Sequence, residues 1–186
     1  MSSSTAYPLS GPIESLGLAG SFGRDAEIYE ENHPAEFLYK VVDGTVRTYK
    51  ALSDGRRQIG AFHLPGDVFG LESGGTHRLT AEAIIDTQTL IFDRRAVEHF
   101  ALRNIEVARE LGKLAARDLD HAIDHLLLLG RKTALERLAD FLLEMDARMR
   151  PSGAIGLPML RRDIAERRDQ PRQYRARHLH ARPAAS

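Results

Sequence analysis

The 186-residue chain has no cysteine and no tryptophan, and aromatic residues make up only 6% of it. Missing thiols exclude disulfides, thiolate catalysis and cysteine-held zinc or iron–sulfur clusters. Long apolar runs are absent too. No stretch approaches the ~18 uninterrupted apolar residues that a membrane-spanning helix requires, and Met1–Pro12 is Ser-rich and uncharged rather than basic and then apolar. A cytoplasmic protein with no membrane partner is expected. Ser, His and Asp are scattered without a nucleophile elbow or comparable context, so neither an enzyme nor a cofactor is expected. His121 and His125 lie one helical turn apart, but a third ligand would have to come from elsewhere, such as Asp118 or Asp124. A solvated helix face is the preferred reading, and no metal is expected.

The chain has enough apolar residues, 42%, for one sizeable core and a small satellite unit. Its net charge of zero conceals an asymmetry. Arg161–Ser186 holds eight Arg against three acids, which leaves 18 basic and 23 acidic side chains in the first 160 residues.

Residues 37 to 92 carry short β-branched and aromatic runs cut by Asp-Gly, Asp-Gly and Pro-Gly, whose glycines fall at 44, 55 and 66, eleven apart each time. Short strands joined by tight turns at that interval indicate an all-β roll rather than a βαβ unit. Strands are expected at Phe37–Val42, Thr45–Leu52, Arg56–His63, His77–Ile84 and Thr87–Phe92. After Asp93 the spacing becomes helical, with a short helix over Arg94–Leu102 and a long one over Ile105–Leu129. In the long helix Ala108, Leu111, Ala115, Leu119, Ala122, Leu126 and Leu129 recur at three- and four-residue steps, the pattern of a coiled-coil seam. Homodimerisation through that stripe is one reading and packing onto the roll is the other. Gly130 is read as a hinge before a further amphipathic helix over Thr133–Met149, and Arg161–Ala165 as the start of another. Glu166–Ser186 has a single Leu, a single Tyr, two Pro and six Arg, too little apolar surface to offset its ordering entropy, so disorder is expected there.

These elements, in this order, resemble the Crp/Fnr superfamily of transcription regulators: a β-roll effector domain, a dimer helix, a hinge and a winged helix-turn-helix. Glu36–Lys50, Asp54–Glu72 and Leu128–Lys132 are similar to the FixK-like branch, as are Leu157-Pro158-Met159 and Arg161–Ala165, so that the likeness covers about residues 24 to 165. It implies an α+β fold with a cyclic-nucleotide-binding-type roll, a long dimerisation helix and an incomplete winged helix-turn-helix. The expected divisions are a flexible N-terminus over 1–22, the roll over 23–102, the dimer helix over 103–130, the start of the reading domain over 131–165 and a basic tail over 166–186.

The resemblance puts Gly66-Asp67 where the family has its Gly-Glu, and Arg78 where it has a phosphate-binding Arg. The Gly-to-Arg interval is one residue longer than in the cyclic-AMP receptors, Asp67 is a methylene short, Leu79 replaces a small polar residue, and the adenine-contacting Thr-Ser pair falls near Ala122 and Ile123. Gly66-Asp67 is therefore read as a turn and Arg78 as a surface or salt-bridged strand residue in a vestigial pocket, with a working cyclic-nucleotide module as the alternative. An Fnr-type cluster is excluded because it needs thiolates.

Arg161 matches the family position that contacts DNA phosphate, and Arg162 follows it. Relatives then show a Tyr-Leu-Gly-Leu-Thr turn and Glu-Thr-Val-Ser-Arg on the recognition helix. Here Glu166-Arg167-Arg168-Asp169-Gln170-Pro171 stands in their place, with Pro171 where the turn should form. A frameshift or truncation after about Ala165 is the expectation. The resemblance thus implies a dimeric DNA-binding regulator that contacts RNA polymerase but reads its operator poorly. The competing reading is an interaction module that pairs with a full-length paralogue. Its Arg-rich tail could also hold nucleic acid by charge alone.

Overall fold

The computed structural model describes residues 9, 11–72, 74–131, 133–149, 157–159, 161 and 163–164, with the side chains of 12, 117, 118, 121, 122, 124–131, 134 and 137 outside that description. Eight strands form two four-stranded antiparallel sheets: β1 (Leu18–Phe22), β8 (Thr87–Asp93), β3 (Phe37–Asp43) and β6 (Val68–Phe69) in that spatial order, and β2 (Glu27–Tyr29), β7 (Thr80–Ala83), β4 (Val46–Ala51) and β5 (Arg57–His63) in the other. The three glycines of the eleven-residue spacing all have positive φ: +93° at Gly44, +81° at Gly55 and +94° at Gly66. At Gly44 no side chain could enter even without that strain, because a Cβ would lie 2.5 Å from Thr87 Oγ1 and 2.6 Å from the Asp86 carbonyl.

Four elements escape the sequence pattern. Gly11–Leu16 is a 3-10 helix and β1 pairs with β8 from Leu18↔Ile91 to Phe22↔Thr87. The expectation of a flexible 1–22 is therefore corrected over 11–22. Leu9 and Ile13 are fully buried against Leu38, Phe92 and Val97, and Lys40 ties this segment down by donating to the Leu9 carbonyl at 3.2 Å and to Glu14 Oε1 at 2.7 Å. β2 and β6 are three and two residues long, too short to show a period of two. The expected strand His77–Ile84 is shorter, Thr80–Ala83, because an isolated bridge at Thr76 and a bend at Arg78–Leu79 come before it.

Helix α1 (Arg94–Ala101) starts at Asp93, whose carboxylate accepts the Ala96 amide at 2.8 Å. Helix α2 (Ile105–Arg131) is capped by Asn104 Oδ1, which accepts the amides of Glu106 and Val107, and its 27 residues extend for about 40 Å. Gly130 lies within α2, so the expected break is corrected from 130 to the junction just before Thr133. There Thr133 and Glu136 form a reciprocal capping box (Thr133 N to Glu136 Oε2 2.6 Å, Glu136 N to Thr133 Oγ1 3.3 Å) that starts α3 (Ala134–Met149). A sharp cap decides this boundary more strongly than one helical glycine, which costs only about 1 kcal/mol.

Candidate functional site

The roll interior is filled by its own rings. Tyr29 stacks on His77 at 3.6 Å between centroids, Tyr39 on Phe69 at 5.1 Å and His63 on Phe69 at 4.9 Å. His77 is only 2% exposed, and its Nδ1 lies 3.2 Å from Glu72 Oε2. Burial pushes the Tyr29 phenol far above its ordinary value, and the nearby Glu72 carboxylate pushes the same way; Tyr39 is raised by the same two causes. β5 is bulged where Thr48↔Ala61 is followed by Tyr49↔Ile59, leaving Gly60 as the extra residue. Leu79 packs on that bulge: its Cδ1 would lie 2.9 Å from a Cβ at Gly60.

Gly66 and Asp67 form a turn whose backbone is committed. The Gly66 amide donates to Val41 O at 2.8 Å and the Asp67 amide to Leu64 O at 2.9 Å, while Asp67 O accepts from Val41 N at 2.9 Å. The Asp67 carboxylate accepts the Leu64 amide at 2.8 Å and also takes the Arg148 guanidinium of α3. Arg78 is exposed and forms no ion pair with another described residue. A cyclic nucleotide needs free amides and a facing Arg for its phosphate and a carboxylate for its ribose. The Gly66 and Asp67 amides are taken, the Asp67 carboxylate is paired with Arg148 and Arg78 is exposed, so these residues do not fit that ligand in the roles the sequence suggested.

The stripe along α2 divides. Leu111 packs against the roll core beside the buried Val107 and Leu114, and Ala108 is half-buried. Ala115 and Leu119 stand exposed, with Gly112 and Ile123 on the same face at three- and four-residue steps; Leu119 is 60% and Ile123 44% exposed. The side chains of Ala122, Leu126 and Leu129 lie outside the described residues, as do those of His121 and His125.

Sequence reasoning missed a third region. Along β4, Val46 joins the ring cluster, whereas Tyr49, two residues beyond Arg47, joins a separate cluster with Ile59, Phe62, Leu64, Ile84, Phe141, Met145 and Met159. The bulge at Gly60 explains why Ile59 and Phe62, three apart, share that side. Alternation of side chains puts Arg47 on the same face as Tyr49. Arg47 is 4% exposed; its Nη1 donates to Asp163 Oδ1 at 2.6 Å and its Nη2 pairs with Glu82. Arg57 donates to the other Glu82 oxygen at 3.1 Å and lies over the Tyr49 ring at 4.5 Å. Asp163 itself is 1% exposed, and Arg161, in the same helical turn, is exposed; Arg162 lies outside the described residues. The one available signal was a charged residue inside an otherwise buried strand, Val46 to Tyr49.

Comparison with known proteins agrees with this architecture. The cyclic nucleotide-binding domain family matches residues 20–104. The chain is 42% identical to the nitrogen fixation regulation protein FixK of Rhizobium meliloti over 159 residues, covering 86% of this chain and 70% of that one. It is also 42% identical to FixK of Azorhizobium caulinodans over 159 residues, covering 83% of this chain and 64% of that one. The solved structure of FixK2 from Bradyrhizobium japonicum superposes with a TM-score of 0.78 at 59% identity, over 81% of this chain and 76% of that one. These relatives are regulators of transcription, not enzymes, and no helix among the described residues is long and apolar enough to cross a membrane. The combination of two-sheet roll, 27-residue helix and capped α3, carried by this level of identity, places the chain in the Crp/Fnr superfamily of transcription regulators, in its FixK-like branch.

Proposed function

We propose that the chain is a dimeric, effector-independent regulator of the FixK type that contacts DNA through phosphates and reads base sequence weakly. The observation that carries this reading is the 42% identity to FixK, which runs through roll, long helix and the start of the reading domain. Filling of the roll by Tyr29, Tyr39 and Phe69 supports independence from a small ligand. Gly112, Ala115, Leu119 and Ile123 offer an apolar face for a second copy, and Arg161 stands free for a phosphate. Weak base reading follows from Glu166–Pro171, which replaces the family's turn and recognition helix and falls outside the described residues. RNA polymerase is the proposed protein partner.

Binding to a palindromic Fnr-type duplex and to a scrambled duplex, titrated over a range of salt, tests the proposal. Nearly equal affinities with the same steep loss on adding salt are expected. A preference for the palindrome of roughly a thousandfold or more, the scale of a specific reader, overturns it. A paralogue-poisoning module is separated by mixing with an intact relative: operator binding that falls as this chain is added favours mixed dimers, and no effect at excess removes that reading.

A further inference from the structure

We propose that Arg47 is a positioning residue for the DNA-reading head, the centre of an intramolecular latch that docks α3 and residues 157–159, 161 and 163–164 on the outer face of the roll in the absence of any effector. The inference rests on the regulator reading above, because it assigns the docked segment to the head.

Two polar links join the units. Arg47 reaches Asp163, 116 residues away in sequence, at 2.6 Å, and Arg148 of α3 reaches Asp67. Between them lies an apolar seat in which Phe141, Met145 and Met159 pack with Tyr49, Ile59, Phe62, Leu64 and Ile84, Phe62 and Phe141 meeting at 5.7 Å between ring centroids. Asp67, which the sequence resemblance matched to the family's ligand carboxylate, takes a cation from α3.

The electrostatics make the latch two-state. Asp163 is 1% exposed, and a buried carboxylate is tolerated only while paired. Arg47 and Arg57 together balance Glu82 and Asp163 in the docked form. If the head undocks, Asp163 returns to water, while Arg47 and Arg57 keep Glu82, so the charge left on the roll stays paired. A partly docked head would leave Asp163 dry without its full partner. The apolar seat supplies most of the affinity, and the ion pair sets the orientation that turns Asp163 and Ile164 inward and leaves Arg161 exposed.

Hydrogen exchange of the full chain, read separately on a peptide spanning 157–164 and on peptides from β3 and β8, tests the latch without using DNA. Asp163→Asn keeps the shape and leaves Arg47 paired with Glu82. It is expected to speed exchange over 157–164 on the order of ten- to a hundredfold, the effect of losing a charge-assisted hydrogen bond, with β3 and β8 unchanged. Arg148→Gln should add to this, and Asp163→Glu should restore part of the protection. Unchanged exchange over 157–164 in both Asp163→Asn and Arg148→Gln overturns the proposal, as does a rise that β3 and β8 share equally. Should Asp163→Asn fail to fold, Arg148→Gln, a half-exposed position, carries the test. Failure of the wild-type chain to bind any duplex would remove the regulator reading and leave this exchange result standing.

Discussion

Placing aspartate at both Leu119 and Ile123 should dissociate the proposed dimer while leaving the roll folded. Full burial of a Leu or Ile side chain contributes roughly 1.5–3 kcal/mol. Leu119 is 60% and Ile123 44% exposed, so a dimer seam has that share left to bury. Scaled accordingly, the two residues contribute about 1.6–3 kcal/mol per protomer, and two-fold symmetry doubles this to roughly 3–6 kcal/mol. Dimer affinity should therefore fall at least on the order of a hundred- to ten-thousandfold, before counting the cost of carboxylates in the seam. Sedimentation velocity over a wide concentration range reads the change directly, and Leu114→Asp is the control. Leu114 is 6% exposed and packs in the roll core, so its substitution should lower thermal stability rather than act on association alone. A double variant that sediments like the wild type, or a wild type that stays monomeric at every concentration, would refute this use of α2.

Alkaline stability should follow the buried rings. Burial, with Glu72 adding to it, raises the Tyr29 and Tyr39 phenols above their ordinary 10.0, so the folded state holds those protons more tightly than the unfolded chain. Their contribution is whole below about pH 10 and is lost as pH climbs above it toward the folded values. The melting temperature should fall over that range, and Tyr29→Phe with Tyr39→Phe should flatten the fall; an equal slope in the double variant would count against the assignment. Phe92→Ala should cost about 3–5 kcal/mol, or a melting temperature lower by roughly 6–20 °C, because Phe92 is fully buried where Leu9, Ile13 and Val97 meet. A loss under about 1 kcal/mol would show that the N-terminal segment does not close that core.

The roll was legible in the sequence wherever local rules act alone. Asp43-Gly44, Asp54-Gly55 and Pro65-Gly66 are turns because a left-handed residue is needed there, and β3, β4, β5 and β8 follow from the β-branched and aromatic runs beside them. α2 and α3 follow from helical spacing. What stayed hidden depends on distant partners. β1 is Leu-Ala-Gly-Ser-Phe, weak in intrinsic strand preference, and exists because β8 offers its edge. The bulge at Gly60 re-phases Ile59 and Phe62 onto one side, which strict alternation forbids. At the candidate pocket the turn at Gly66-Asp67 was readable, but the commitment of Asp67 to Arg148 was not, since the two are 81 residues apart. Arg47 stands out only as a charged residue inside a buried strand, and nothing local names Asp163 as its partner, so only the tertiary fold brings them together.

The central claim is that this chain keeps the family's roll but fills its ligand site with its own side chains. Thermal unfolding of the full chain with and without saturating cyclic AMP or cyclic GMP addresses it most directly. A ligand at a hundred times its dissociation constant stabilises by about 2.7 kcal/mol, roughly 5–10 °C for a chain of this size. No shift beyond scatter with either nucleotide is the result expected from the Tyr29–His77 stack, Leu79 over Gly60 and the Arg148–Asp67 pair. A saturable rise of several degrees that Arg78→Ala abolishes would contradict it.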